Sequence, residues 1–286
     1  MTDWATFAVA TVVMTLALLY LTRRSQRTLE RVRIVDDIGD VDHPDTVDHP
    51  DTADHPDIAD HPDTADRDSD DLDTPVSNAA EPVLTTELLL ANVALSQGVA
   101  LALLVGVAWW TGVPARAFGL AAADITASVL LVGVAVGVVL YLGNEAAAGL
   151  GDRFGVTAPE RLREAMAPSD RRGWALLLLV VLPVIAVFEE ALFRGALIGA
   201  FAVGFGVDPW LLAVGSSVAF GLGHGAQGRL GIAVTGVLGF VLAAVFVVSG
   251  SLLLVIVAHY VINALEFVVR EGFGWDPAGV SESSGS

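Results

Sequence analysis

Five ionisable side chains, Glu189, Glu190, Arg194, His224 and His259, lie inside stretches that are otherwise apolar, with Asn263 as a polar companion. On insertion scales each such group costs at least ~2.5 kcal/mol at the centre of a bilayer, so each needs a reason to be there. Outside an acidic tract near the N-terminus, His224 and His259 are the only histidines of the chain. There is no cysteine. Disulfides, a thiolate nucleophile and thiolate metal sites are therefore excluded, and any chemistry must use oxygen and nitrogen groups.

Spacing sorts these groups. Glu190 and Arg194 are four residues apart, share a helix face and can pair, the rigid guanidinium fork suiting a carboxylate. Glu189 is turned ~100° round the same helix, which leaves it free to point elsewhere as a general base, in a setting where burial favours proton uptake. The bland alternative is a purely structural ion pair with a spare glutamate facing water. His259 and Asn263 are again four apart and project from one face of the last apolar stretch. Glu266 lies near that face with Arg270 four residues on, a spacing that suits a salt bridge at the membrane surface. His224 follows Phe220-Gly221-Leu222-Gly223, where the glycines allow another helix or a substrate to come close. Either histidine alone reads as a packing residue. Two such histidines and a double glutamate on three separate segments point to one shared site.

The elements that must position these groups are membrane helices. Hydrophobic residues make up 54% of the chain and the mean hydropathy is +0.64. Several apolar runs approach the ~20 residues that cross a bilayer. A first run, Trp4 to Leu21, is closed by Arg23, Arg24, Arg27, Arg31 and Arg33, which marks a retained anchor instead of a cleaved signal. Further helices are expected over Glu87–Val113, Ile125–Ala148, Trp174–Val203, Trp210–His224, Leu230–Val248 and Leu252–Val269. The fold class is thus an all-α polytopic transmembrane bundle of about seven spans, or eight if Pro183 divides the long Trp174–Val203 segment. The expected organisation is an anchor with a basic flank (1–35), an acidic linker (36–83), a membrane-embedded domain (84–270) and a Gly- and Ser-rich tail (271–286).

The net charge of −18 arises largely in the linker, where His-Pro-Asp recurs every six residues from His43 to Asp63. Proline at that spacing forbids a continuous helix and the charge forbids a core, so a solvated, self-repelling spacer is expected and its histidines are not read as a metal site. All fifteen basic residues are arginine. An acidic, lysine-free composition fits a protein facing a very salty cytoplasm; a genome biased toward arginine codons accounts equally for the missing lysine. Placing the N-terminus outside puts Arg23 to Arg33, Arg153, Arg161, Arg163, Arg171, Arg172, Arg229 and Arg270 on the cytoplasmic side, leaving only Arg116 outside. The linker and C-terminus are accordingly expected in the cytoplasm of a cell whose plasma membrane holds the chain.

Glu189-Glu190 with Arg194, Phe220 with His224, and His259 with Asn263 resemble, in order and at the right internal spacing, the three membrane motifs of the CPBP (Abi) family of intramembrane proteases, which includes the CAAX-processing enzymes. The resemblance covers roughly 174–269. It implies that Glu189 activates a water for attack on a peptide carbonyl, that His224 and His259 position that water or a metal, and that Asn263 helps stabilise the oxyanion. By the same resemblance Glu190 and Arg194 organise the site and Phe220 packs beneath it. Glu189, His224 and His259 with an open position would also make a catalytic zinc set; a metal-free route uses the same residues, and both stay open. The partners implied are membrane lipid and a peptide or protein substrate, with a prenylated C-terminus as the substrate of the best-known relatives; nothing suggests nucleic acid. Rival proteases find little support: there is no Gly-x-Ser-x-Gly elbow or His-Glu-x-x-His helix, and Asp124 and Asp208 fall at helix ends. Two other classes compete, a non-catalytic scaffold of immunity type that keeps the polar core, and a proton or ion transporter using Glu and His as a relay.

Overall fold

The computed structural model describes residues 1–39, 86–122, 125–153, 161–225 and 228–274. Two compact units are distinguished, Met1–Leu29 with Leu84–Ser286, and Glu30–Val83; of the second only residues 30–39 are described, and they are helical. Most of the expected linker, residues 40–83, the tail from residue 275, and Asp124 lie outside the described residues.

The described residues are helical with no strand: α1 (Trp4–Gly39), α2 (Thr86–Thr111), α3 (Ala127–Arg153), α4 (Arg161–Met166), α5 (Arg171–Phe205), α6 (Pro209–Gly223), α7 (Gly228–Ser249) and α8 (Leu252–Gly272), with a 3₁₀ turn at Ala115–Phe118. Six are long and apolar enough to cross a membrane and α6 is a shorter apolar seventh. Four starts, those of α1, α5, α6 and α8, carry a side-chain cap. Asp3 accepts from the Thr6 backbone N–H (3.0 Å), Asp170 from Gly173 (2.8 Å), Asp208 from Trp210 (2.8 Å) ahead of Pro209, and Ser251 from Leu254 (3.3 Å), each satisfying an orphan first-turn donor.

α5 does not split. It is one helical run of 35 residues, loosened into wide π turns at Leu177–Val181 and Ala191–Ala200. Pro183 opens the regular α segment Leu182–Glu190 directly after the first wide turn. In that first turn a missing N–H leaves no hydrogen bond broken, so the ring is accommodated without dividing the helix. In the second wide turn the Ser216 hydroxyl of α6 donates to the Phe193 carbonyl at 2.6 Å, supplying a partner where the helical ladder is displaced.

Small residues set the helix spacing. A Cβ on Gly133 or Gly137 of α3 would lie 2.9 Å from the Leu254 carbonyl or 2.7 Å from that of Ala258, so the α8 backbone rests directly on α3. Gly221 of α6 meets α7 in the same way, at Ile232 and Gly236. Phe7 of α1 is fully buried and packs edge-on to Phe118 and Phe201 (centroids 5.7 and 6.4 Å).

The two ends of the bundle differ. At one, Thr2 and Asp3 bond to Gly112 and Thr111, and Leu252 bonds to Gly119; Arg116 belongs here. At the other, Arg163 reaches Glu271 (2.8 Å) and Glu266 (3.4 Å), Arg270 reaches Glu145 (3.1 and 2.9 Å), and Thr86 bonds to Ala165. The start of α5, with Arg171 and Arg172, lies at this arginine-rich end too. The arginines therefore segregate as the span order requires.

Candidate active site

The site is built where α5, α6, α7 and α8 meet at mid-length. Glu190 of α5 is fully buried and Arg194 is 1% exposed. Their four-residue spacing closes the expected pair, with Arg194 Nη1 donating to Glu190 Oε1 at 2.9 Å. Nη2 of Arg194 donates to the Gly239 carbonyl of α7 at 2.8 Å. The guanidinium carbon lies 4.6 Å from the Phe220 ring centroid of α6, so a cation–π contact supplements the ion pair. A Cβ at Gly239 would stand 2.8 Å from the Phe220 ring and 3.5 Å from Arg194 Nη2; glycine is what lets the three groups close up.

His259 of α8 links this pair to the second carboxylate. Its Nδ1 lies 2.7 Å from Glu190 Oε1 and its Nε2 lies 3.7 Å from Glu189 Oε2. A carboxylate oxygen only accepts, so Nδ1 carries a proton; in that tautomer of the neutral ring Nε2 presents a lone pair. Two acceptors, Nε2 and Oε2, then face each other beyond direct hydrogen-bond range. Oε2 of Glu189 is buried and has no partner among the described residues, and the same holds for Glu190 Oε2 and Arg194 Nε. Side-chain exposure is 12% for Glu189 and 8% for His259 against 0% for Glu190, so these two are the less enclosed members of the cluster.

Phe220 is the common floor. Its ring packs on Phe193 (5.1 Å), His224 (4.6 Å) and His259 (6.1 Å). The structure thus brings Glu189, Glu190, Arg194, Phe220 and His259 into one network and joins His224 to it through the Phe220 ring. His224 closes α6 and its Nδ1 lies 2.9 Å from the Phe220 carbonyl, which turns Nε2 outward from the helix end. Asn263 sits one turn along α8 from His259, half-buried, and makes no hydrogen bond among the described residues. Among the described residues no group of three His, Asp or Glu side chains is placed to hold a metal ion.

Sequence reasoning passed over Gly239 and Ser216, which act through a carbonyl and a hydroxyl on neighbouring helices. It also passed over Glu145, buried against Arg270. A small residue repeated along α7 (Gly231, Thr235, Gly239, Ala243) was the available signal for the first. Asp208 is a helix cap, as its position at a helix end implied.

Residues 171–265 match the family model described as type II CAAX prenyl endopeptidase, Rce1-like. No curated protein and no solved structure matches the chain. The matched stretch contains every residue of the network together with His224 and Asn263.

Proposed function

We propose that this multi-pass membrane protein, whose residues 171–265 match the Rce1-like type II CAAX prenyl endopeptidase family model, hydrolyses a peptide bond within the bundle by water that Glu189 activates. The observation that carries the reading is the pair His259 Nε2 and Glu189 Oε2, 3.7 Å apart, with Oε2 buried and left without a partner among the described residues. A water ~2.8 Å from each could donate one proton to Nε2 and the other to Oε2, with the two acceptors subtending roughly 80° at its oxygen. Its remaining lone pair faces outward, toward a substrate carbonyl.

Attack by that lone pair forms the C–O bond while Glu189 takes the proton. Collapse of the tetrahedral intermediate breaks the C–N bond, and the proton passes from Glu189 to the departing amine. Glu190 acts through His259: its carboxylate fixes the tautomer and the ring plane, and Arg194 holds that carboxylate in place by their ion pair. The Asn263 amide N–H is the donor offered to the oxyanion, and His224 lines the site beside the Phe220 ring. Each member needs only the side chains described, and no step is routed through an ion.

The substrate proposed is a peptide with a prenylated C-terminus presented from the lipid phase. The arginine-rich end is taken to face the cytoplasm of the cell membrane, by the rule that cytoplasmic loops carry the positive charge. The test is to reconstitute the full chain in vesicles with an S-prenylated C-terminal peptide in ¹⁸O-water and read the products by mass spectrometry. One cut is expected, with a single ¹⁸O in the new carboxyl group, and no cut by H259A or E189Q. A wild-type chain that leaves the peptide intact, or an E189Q chain that cuts as fast as wild type, would remove the proposal.

A further inference from the structure

α1 stands off from α6 past its first turns. Its start is held closely: Thr2 and Asp3 bond to Gly112 and Thr111, Trp4 lies on Gly204, where a Cβ would come 2.5 Å from its ring, and Phe7 is fully buried. From Val12 onward a groove of about 260 Å³ runs between α1 and the pair α5 and α6. Val12, Leu16 and Leu19 line it on α1 and Gly215 on α6. A glycine inside a helix weakens it relative to alanine, and where Gly133, Gly137 and Gly221 admit a neighbouring helix, a Cβ on Gly215 would meet nothing within 4 Å. What Gly215 leaves is room. The hydroxyls of Thr15 and Ser216 also line the groove, and both are spent on backbone carbonyls, that of Thr11 at 2.9 Å and that of Phe193 at 2.6 Å. The groove therefore suits an aliphatic chain and nothing that needs a hydrogen bond.

Its length is that of one leaflet, and its mouth is charged. Val12 lies at the middle of the apolar run from Trp4 to Leu21, and Leu16, Leu19 and Arg23 follow it at intervals of four, three and four residues, one continuous stripe of the helix. From Val12 to Arg23 the helix rises ~16 Å, against ~15 Å for half the hydrocarbon core of a bilayer. Arg23 thus stands at headgroup level where the groove ends, with Arg24 beside it. Arg23 is exposed and makes no ion pair among the described residues.

We infer that this groove binds one anionic diacyl phospholipid of the arginine-rich leaflet, its phosphate held by Arg23 and one acyl chain laid along Leu19, Leu16 and Val12 to the bilayer centre. A hollow beside lipid fills, because an empty one forfeits the dispersion contacts of the atoms that line it. Hydrocarbon gains little by leaving bulk lipid for the groove, so the headgroup selects the occupant. The guanidinium fork takes two phosphate oxygens in parallel, and arginines at the membrane surface favour lipid of net negative charge over zwitterionic lipid. The site lies outside the Glu189–His259 network and does not depend on the hydrolase reading.

The experiment is native mass spectrometry of the full chain in detergent, with phosphatidylglycerol or phosphatidylcholine carrying the same two acyl chains, on wild type, R23Q and G215L. Wild type should retain one phosphatidylglycerol at least about fivefold more tightly than phosphatidylcholine, the worth of one arginine at an anionic surface, and its unfolding temperature should rise with that lipid. R23Q should lose about that factor for phosphatidylglycerol and hold phosphatidylcholine as wild type does. G215L fills the groove with a side chain that favours the helix; it should unfold no lower than lipid-free wild type and retain neither lipid. Equal retention of the two lipids by wild type would overturn the inference, as would an R23Q chain that holds phosphatidylglycerol as tightly as wild type. One-for-one displacement of the phospholipid by an S-prenylated peptide would give the groove to the substrate instead, and overturn it as well.

Discussion

Two of the carboxylate–guanidinium pairs in this bundle, Glu145 with Arg270 and Glu190 with Arg194, are wired differently. At the arginine-rich end Glu145 gives both oxygens to one arginine, accepting Nε of Arg270 at 3.1 Å and Nη2 at 2.9 Å. At mid-depth Glu190 gives a single oxygen, Oε1, to two donors on two helices, Arg194 and His259, and leaves Oε2 bare. The first arrangement fills the valences of both partners and ties α3 to α8. The second leaves donors and acceptors unspent, yet removes all freedom from the His259 ring. A fully matched pair is how a helix bundle is fastened; a mismatched buried one costs stability and persists where it orients a group that must work.

Breaking the site pair should therefore give the largest change. E190Q strands the Arg194 charge with 1% exposure and should lower stability by about 3–5 kcal/mol, whereas the E190Q/R194M double variant should recover most of that and still fail to cleave. Thermal unfolding in detergent beside a cleavage assay reads both. A double variant as active as wild type would show that the pair is only a fastener, erasing the contrast. G239A comes next: its methyl meets Phe220 at 2.8 Å, overpacking that should cost about 1–3 kcal/mol and slow turnover in proportion to the displacement of Arg194. E145Q at the matched pair should cost about 1.5–3 kcal/mol, the range of hydrogen bonds to charged groups, with turnover per folded molecule kept. Loss of turnover there would extend the functional network to the arginine-rich end.

The smallest effect is expected at the α1 cap. Hydrogen bonds from Thr6 hold the Asp3 carboxyl below the usual carboxylate range. Because the folded value is the lower one, the cap's contribution is complete above the ordinary carboxylate range and is lost as pH falls through the lowered value. D3N should remove that acid dependence of unfolding and leave the neutral-pH behaviour close to wild type.

What could be read from the sequence was local. The helix positions followed from apolar length, and the Glu190–Arg194 pair from a four-residue spacing that any helix enforces. Three motifs in order named the residues of the site. The rest depends on how helices are rotated against one another, which no spacing within one helix encodes. Glu189 and Glu190 both end on one imidazole because α8 lies close against α3 on Gly133 and Gly137, and because α5 widens after Glu190. Nor does the sequence distinguish Pro183 as a helix breaker from Pro183 as the first residue after a wide turn. Only the turn before it decides. Glu266 and Arg270, expected to pair along one helix, are bonded to other elements, Arg163 for one and Glu145 for the other.

The central claim is that Glu189, and not its paired neighbour, handles the water. Its most direct test is kcat of E189Q in reconstituted vesicles, normalised to folded protein by its unfolding temperature. Removal of a general base costs about 10²–10⁴-fold in rate, so the account predicts a loss of that size with unfolding within a few degrees of wild type. Turnover within about threefold of wild type, at equal folded fraction, would contradict it.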